Sequence, residues 1–103
     1  SSIAVADSLK EIELNRKETQ RRPLSIMSEP AAYQTDAVIS IRLPDASPYV
    51  TVSIVNEETG AQVYSMIYAG TDNILFDLKG KAKGTYTLLI NIEGMKYTGE
   101  FTL

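Results

Sequence analysis

The side chains of this chain that could do chemistry are mostly carboxylates. The sequence has 13 Asp and Glu residues, no His and no Cys. The lack of His excludes the usual Ser-His and Cys-His nucleophile systems. The lack of Cys excludes thiol catalysis, zinc–thiolate sites and disulfides. The enzyme class that remains is a carboxylate-based glycosidase, which needs two acids about 5–10 Å apart across a cleft.

The candidate acids for such a pair, or for calcium, are Asp36, Asp45, Glu57, Glu58, Asp72 and Asp77. Nearly all of them fall in predicted turns, where Asp and Glu are common for conformational reasons. The spaced acidic loop of a known calcium motif is missing. Nothing in the chain poises a general base near neutral pH. We therefore predict that the protein is not an enzyme and that it uses no cofactor or metal ion.

Two groups of basic residues could bind an anion. The segment 16–22 carries four bases and one acid, but it has no interleaved aromatic residues on which nucleic-acid bases could stack. Lys79, Lys81 and Lys83 lie among glycines without the spacing of a phosphate-binding loop. We interpret both groups as solvated charges. The net charge of −3 also argues against nucleic acid as a partner.

The elements that position these side chains are short strands. Apolar residues alternate with polar ones in several runs, and a turn signal follows about every 8–12 residues, which is typical of a β-sandwich. The predicted strands cover residues 9–14, 24–27, 37–43, 49–55, 61–68 and 74–78 and a final hairpin over 84–103. Residues 9–14 would also suit a short helical turn. No apolar run is long enough to span a bilayer.

We thus predict an all-β fold, an immunoglobulin-like antiparallel β-sandwich of seven or eight strands. Residues 9–103 would form a single β-sandwich domain and residues 1–8 a loose N-terminal segment. The polar stretch 15–23, which ends in Pro23, is predicted to be a loop.

The register of the final hairpin follows from its turn. Glu93-Gly94 is a two-residue turn of the type that takes positive φ. Closing the hairpin at this turn pairs Ile92 with Met95. The pairing then continues along both strands for eight residue pairs and ends with Thr85 opposite Thr102. One face then carries apolar residues and Gly, and the other is mostly polar, as in a sheet with one buried face.

A second structural signal precedes this hairpin. Leu78, Gly84, Tyr86 and Leu88 have the spacing found around the corner of immunoglobulin domains where a Tyr anchors the chain. Ala82 stands where that pattern has Asp. The alternative is that Tyr86 is simply an inward-facing strand residue.

The candidate interaction surface is a stripe of Tyr64, Met66 and Tyr68, which share one face of a strand. Its direction depends on the preceding loop. A five-residue loop, 56–60, would bury the stripe, whereas a four-residue loop, 57–60, would turn it outward. We favour the four-residue loop, since Gly60 can supply the positive φ that ends it. An outward stripe would be an exposed apolar strip of the kind that marks a contact surface.

Several of these runs resemble a known family. The cues are Arg21-Arg22-Pro23-Leu24, the strand 50–55 followed by Gly60 and Val63-Tyr64, and the residues Phe76 to Leu88 followed by the Gly-turn hairpin. They are similar to short exported proteins of unknown function from Bacteroides-type gut anaerobes. The resemblance implies an immunoglobulin-like sandwich and export, and it supplies no active-site residues. The C-terminal half is also similar to β-sandwich sorting domains of secreted proteins.

The functional expectation is a non-enzymatic, exported binding or interaction module at the cell envelope, whose ligand is an unknown protein or glycan. The alternative is a sorting or accessory domain that the export machinery recognises. Ala4-Val5-Ala6 has the form of a signal-peptidase site, although a trimmed end would look the same. We expect no nucleic acid and no membrane span, and we allow for weak self-association through the stripe.

Overall fold

A computed structural model describes residues 9–17, 29–47 and 49–103, which form two antiparallel sheets. Their strands are β1 (Leu9–Ile12), β2 (Asn15–Lys17), β3 (Ala31–Thr35), β4 (Val38–Ser47), β5 (Val50–Asn56), β6 (Gln62–Tyr68), β7 (Thr71–Asp77), β8 (Thr85–Ile92) and β9 (Met95–Thr102). One sheet has the order β1-β3-β4-β7 and the other β2-β9-β8-β5-β6. The fold is the all-β sandwich that the sequence predicts.

The strand count of seven or eight is too low, since the described residues alone contain nine strands. The strand β2 forms in a segment predicted to be a loop, because pairing with β9 through the backbone requires no apolar pattern. The strand β3 was missed because its inward positions hold Ala32 and the polar Gln34. The predicted strand at 24–27 and the loose segment 1–8 lie outside the described residues.

The core forms where the inner faces of the two sheets meet. In β5 every second residue is buried, which is the period of a strand with one face in the core. The buried apolar residues are Ile12, Ala32, Ile39, Ile41, Leu43, Val50, Val52, Ile54, Ile74, Phe76, Leu78, Tyr86, Leu88, Ile90, Tyr97 and Phe101.

The register predicted for the final hairpin is confirmed in every pair. Ile92 lies opposite Met95, and the pairing continues without a break to Thr85 opposite Thr102. The turn residues Glu93 and Gly94 have φ values of 50° and 89°. Both are positive, as a two-residue hairpin turn requires.

The corner between β7 and β8 is anchored by Tyr86. Its side chain is 1% exposed, and its hydroxyl donates a hydrogen bond to the carbonyl oxygen of Ala82, four residues upstream. Its ring stacks on Phe101 of β9 with the centroids 5.6 Å apart. The corner predicted from the spacing of Leu78, Gly84 and Tyr86 is therefore present.

Two contacts tie the sheets together. The side-chain amide of Gln34 donates hydrogen bonds to the carbonyl oxygens of Asp36 at 2.9 Å and Thr102 at 2.8 Å, so it joins the β3–β4 turn to β9. The second contact is at Gly99 of β9, where the chain that crosses from β1 to β2 lies directly against the glycine. A Cβ at Gly99 would lie 2.7 Å from the carbonyl oxygen of Glu13.

Candidate interaction edge at strand β6

The loop between β5 and β6 has the predicted length of four residues. The N–H of Asn56 donates to the carbonyl oxygen of Ala61 at 2.8 Å, and Val55 lies opposite Gln62. The side chain of Asn56 holds the loop, since its Oδ1 accepts the N–H groups of Glu58 and Thr59. Gly60 ends the loop with a φ of 76°.

The predicted outward direction of the stripe is nevertheless wrong, because β6 contains a bulge. After Val55 opposite Gln62, the next pair is Ile54 opposite Tyr64, so that Val63 is an extra residue. One extra residue moves all later side chains to the other face. Tyr64, Met66 and Tyr68 therefore share the inner face with Ile54 and the other buried residues of β5.

The stripe sits at the open side of the sandwich rather than in its middle. The ring of Tyr64 stacks on Phe76 of the opposite sheet, with the centroids 4.6 Å apart. The hydroxyls of Tyr64 and Tyr68 form a hydrogen bond with each other. Met66, between them in sequence, is 49% exposed. It remains exposed because β6 is the last of the described strands in its sheet.

The environment of Tyr68 keeps its phenol neutral. Burial against the sandwich, together with the hydrogen bond to Tyr64, raises the pKa of Tyr68 from 10.0 to about 12. Since the folded state favours the protonated phenol, its contribution to stability is full below pH 10 and is lost as the pH rises towards 12.

Two substitutions test this assignment. We expect Tyr68→Phe to remove the phenolate absorbance change near pH 12 and to weaken the loss of stability between pH 10 and 12. Tyr64→Phe should lower the pKa of Tyr68 only in part, because burial is the larger cause of the shift. The measurement is a spectrophotometric titration with urea melts at each pH. Tyr49→Phe, which alters an exposed ring, is the control. If Tyr68→Phe and Tyr49→Phe lost the absorbance change near pH 12 equally, the assignment of that change to Tyr68 would be contradicted.

Ile67 belongs to the same edge, although the interaction surface predicted from the sequence did not include it. It is 66% exposed and lies opposite Thr51 on the outer face, whereas Met66 lies on the inner face. The sequence of β6 could have indicated it, because apolar residues occur at both alternating sets of positions. A strand with one solvent-exposed face has apolar residues mainly at one set. We call Gln62–Tyr68, with exposed Met66 and Ile67, the β6 edge.

The structure brings together two carboxylates, Glu57 in the β5–β6 loop and Glu100 on the outer face of β9. The hydroxyl of Thr87 donates to Glu57 Oε2 at 2.7 Å. A hydrogen bond with Glu57 raises the pKa of the Glu100 carboxyl. Both acids are exposed, and neither lines the open cleft described below. In the parts of the chain that the structure describes, no three acidic side chains cluster as metal ligands would.

A separate open cleft of about 870 Å³ lies beside the β3–β4 turn and the β7–β8 corner. Its charged lining residues are exposed: they are Lys10, Asp36, Asp77, Lys79, Lys81 and Lys83. The buried polar side chain in its wall, Gln34, has both amide hydrogens bonded to carbonyl oxygens and has none to offer a ligand.

Of the other basic segment, Arg16 forms an ion pair with Glu29 at 3.1 Å, and residues 18–22 lie outside the described residues. The described portion of the chain contains no helix with the length and apolar character needed to cross a membrane.

Comparison with known proteins identifies the family. The model of a family described as a domain of unknown function, DUF3244, matches residues 11–103. The chain belongs to the DUF3244 family. A search of curated proteins finds no match.

A solved structure supports the fold of this DUF3244 chain. It is the crystal structure of a DUF3244 protein from Bacteroides vulgatus with an immunoglobulin-like β-sandwich fold. The two chains are 16% identical and superpose with a TM-score of 0.77, over 92% of this chain and 98% of the other. The immunoglobulin-like fold predicted from the sequence is confirmed, as is the resemblance to this family of unknown function.

Proposed function

We propose that this protein is a non-enzymatic interaction module that is exported and works at the cell envelope, where it binds a protein or glycan through the β6 edge. The observation that carries the proposal is the exposure of Met66 and Ile67 on the two faces of a terminal strand. Apolar side chains exposed together in this way favour a contact surface. The tyrosines beside them suit that role, because their rings pack while their hydroxyls remain hydrated.

The carboxylates support a non-enzymatic role. Glu57 and Glu100 are near each other, but both are exposed and neither lines the open cleft beside the β7–β8 corner. A glycosidase would need a cleft that holds the sugar between its two acids. Export rests on the sequence at Ala4-Val5-Ala6 and on the resemblance given above.

The test compares three forms of the protein on a glycan array and in capture of envelope proteins: wild type, Ile67→Lys and Leu75→Lys. Leu75 is a matched control, because it is 70% exposed on β7 of the other sheet and its substitution adds the same charge. We expect a ligand that is retained by wild type and Leu75→Lys and lost by Ile67→Lys. Equal binding by all three forms would place the site elsewhere, and cleavage of an arrayed glycan would contradict the non-enzymatic role.

A further inference from the structure

The β6 edge differs from the other terminal strands in its lack of charge. Among the described residues, each sheet has two terminal strands. Proteins commonly use charged residues or Pro to protect such strands from pairing with another chain. The charged residues in the other three are Lys10 and Glu11 in β1, Arg16 and Lys17 in β2, and Asp72 and Asp77 in β7. β6, with the sequence Gln-Val-Tyr-Ser-Met-Ile-Tyr, has neither a charge nor a Pro.

No described strand pairs with the open side of β6, so its backbone hydrogen-bonding groups there have no partner among the described residues. Asn56 of β5 directs its N–H to Ala61, whereas the next residue, Glu57, directs its N–H to Thr85. Backbone direction alternates along an antiparallel strand, so Ser53 and Thr51 face β8. Their partners across β6, Ser65 and Ile67, therefore direct their N–H and C=O groups away from the sheet.

We propose that the β6 edge pairs antiparallel with the β6 edge of a second copy, about a two-fold axis at Ser65, so that the two five-stranded sheets join into one. This inference rests on the interaction role proposed for the β6 edge and names its partner. Centring the pair on Ser65 overlaps all seven residues of the strand. Ser65 then exchanges both backbone hydrogen bonds with Ser65 of the second copy.

The side chains suit this register. On the inner face, Tyr64 lies opposite Met66 of the second copy, and sulfur–aromatic contacts are favourable. Along the strand, Ile67 lies opposite Val63 of the second copy. A partner that docked on one sheet face would cover either Met66 or Ile67, because they point to opposite faces. An added strand flanks both.

Charge favours a second copy as the occupant. A symmetric pair places each strand against its own sequence, so any charge near the axis would meet a like charge, which is destabilising in a sheet. The β6 edge has no charge to repel itself. The residue on the axis, Ser65, is small and exposed, and a small side chain can face its own copy closely.

The first experiment measures the mass of the purified chain in solution from micromolar to sub-millimolar concentration. We expect wild type to rise from 11.3 kDa towards twice that mass. Ser65→Lys places two ammonium groups opposite each other at the axis. It should remain a monomer at concentrations where wild type and the control Leu75→Lys are dimers. Its thermal melt should match that of wild type at concentrations low enough for both to be monomers.

The second experiment uses the absence of Cys from the chain. A hydrogen-bonded antiparallel pair has Cα atoms about 5.5 Å apart, within disulfide range. Ser65→Cys should therefore cross-link into dimers under mild oxidation, and Leu75→Cys should not. A wild type that stays monomeric throughout, or equal cross-linking of the two variants, would overturn the proposal. If wild type is monomeric but Ile67→Lys still loses an envelope ligand, the second copy is excluded as the partner and the proposed function stands.

Discussion

Replacing Tyr86 with Ala is expected to lower the free energy of unfolding by about 3–5 kcal/mol, the usual cost of truncating a buried aromatic side chain. The ring is 1% exposed and stacks on Phe101, so its removal leaves a cavity between β8 and β9. The hydroxyl bond to Ala82 that holds the corner is lost as well. Urea melts of the variant and wild type measure the difference.

Two further variants separate the causes of this loss. Tyr86→Phe keeps the ring and removes only the hydroxyl, so we expect it to cost about 1 kcal/mol, the net value of a typical hydrogen bond. Thr87→Ala, one residue along on the outer face, should stay within about ±1 kcal/mol of wild type. Equal losses from Tyr86→Ala and Thr87→Ala would mean that the register of β8 is shifted by one residue.

Gly99→Ala should lower the free energy of unfolding by about 1–3 kcal/mol, the range for forcing an extra methyl group into a packed site. The new Cβ would lie 2.7 Å from the carbonyl oxygen of Glu13 and 2.9 Å from Cγ2 of Ile12. A side chain could rotate away, but the carbonyl belongs to the backbone that links β1 to β2. The chain must therefore move apart at that crossing.

The neighbouring residue supplies the control for this prediction. Thr98→Ala removes atoms from the outer face of the same strand and should stay within about ±1 kcal/mol of wild type in the same urea melts. The φ of Gly99 lies outside the left-handed region, so Ala at this position adds no backbone strain. The difference between the two variants therefore reports the steric contact alone. If Gly99→Ala unfolded at the same urea concentration as wild type, the chain between β1 and β2 would pack less tightly against Gly99 than the structure indicates.

The hairpin and the corner could be predicted because their signals are local. Glu93-Gly94 allows one kind of tight turn, and the register of sixteen residues follows from that turn alone. The anchoring role of Tyr86 likewise depends on residues within one corner. In such segments the spacing of a few residues determines the geometry.

The direction of the stripe could not be predicted because it depends on a bulge. The length of the 57–60 loop was predicted correctly, but one extra residue at Val63 reversed its consequence for Tyr64, Met66 and Tyr68. A bulge leaves no compositional mark comparable to the Gly of a turn. The strand β2 was not predicted for another reason: it pairs with β9, and its partners, Thr98 among them, are distant in sequence. The strand β3 pairs with its neighbour β4, but its inward Ala32 and Gln34 give no apolar alternation to detect.

The hydrogen bonds of Gln34 have a consequence for the order of events in folding. Its bond to Thr102 joins residues 68 apart in sequence, which requires both sheets to be in place before it can form. Contacts of such long separation are costly to close early. We therefore expect the bond to form after the folding barrier, so that its loss in Gln34→Ala would speed unfolding and leave the folding rate nearly unchanged. On this expectation, Gln34 would contribute to the resistance of the assembled sandwich to unfolding rather than to its rate of formation.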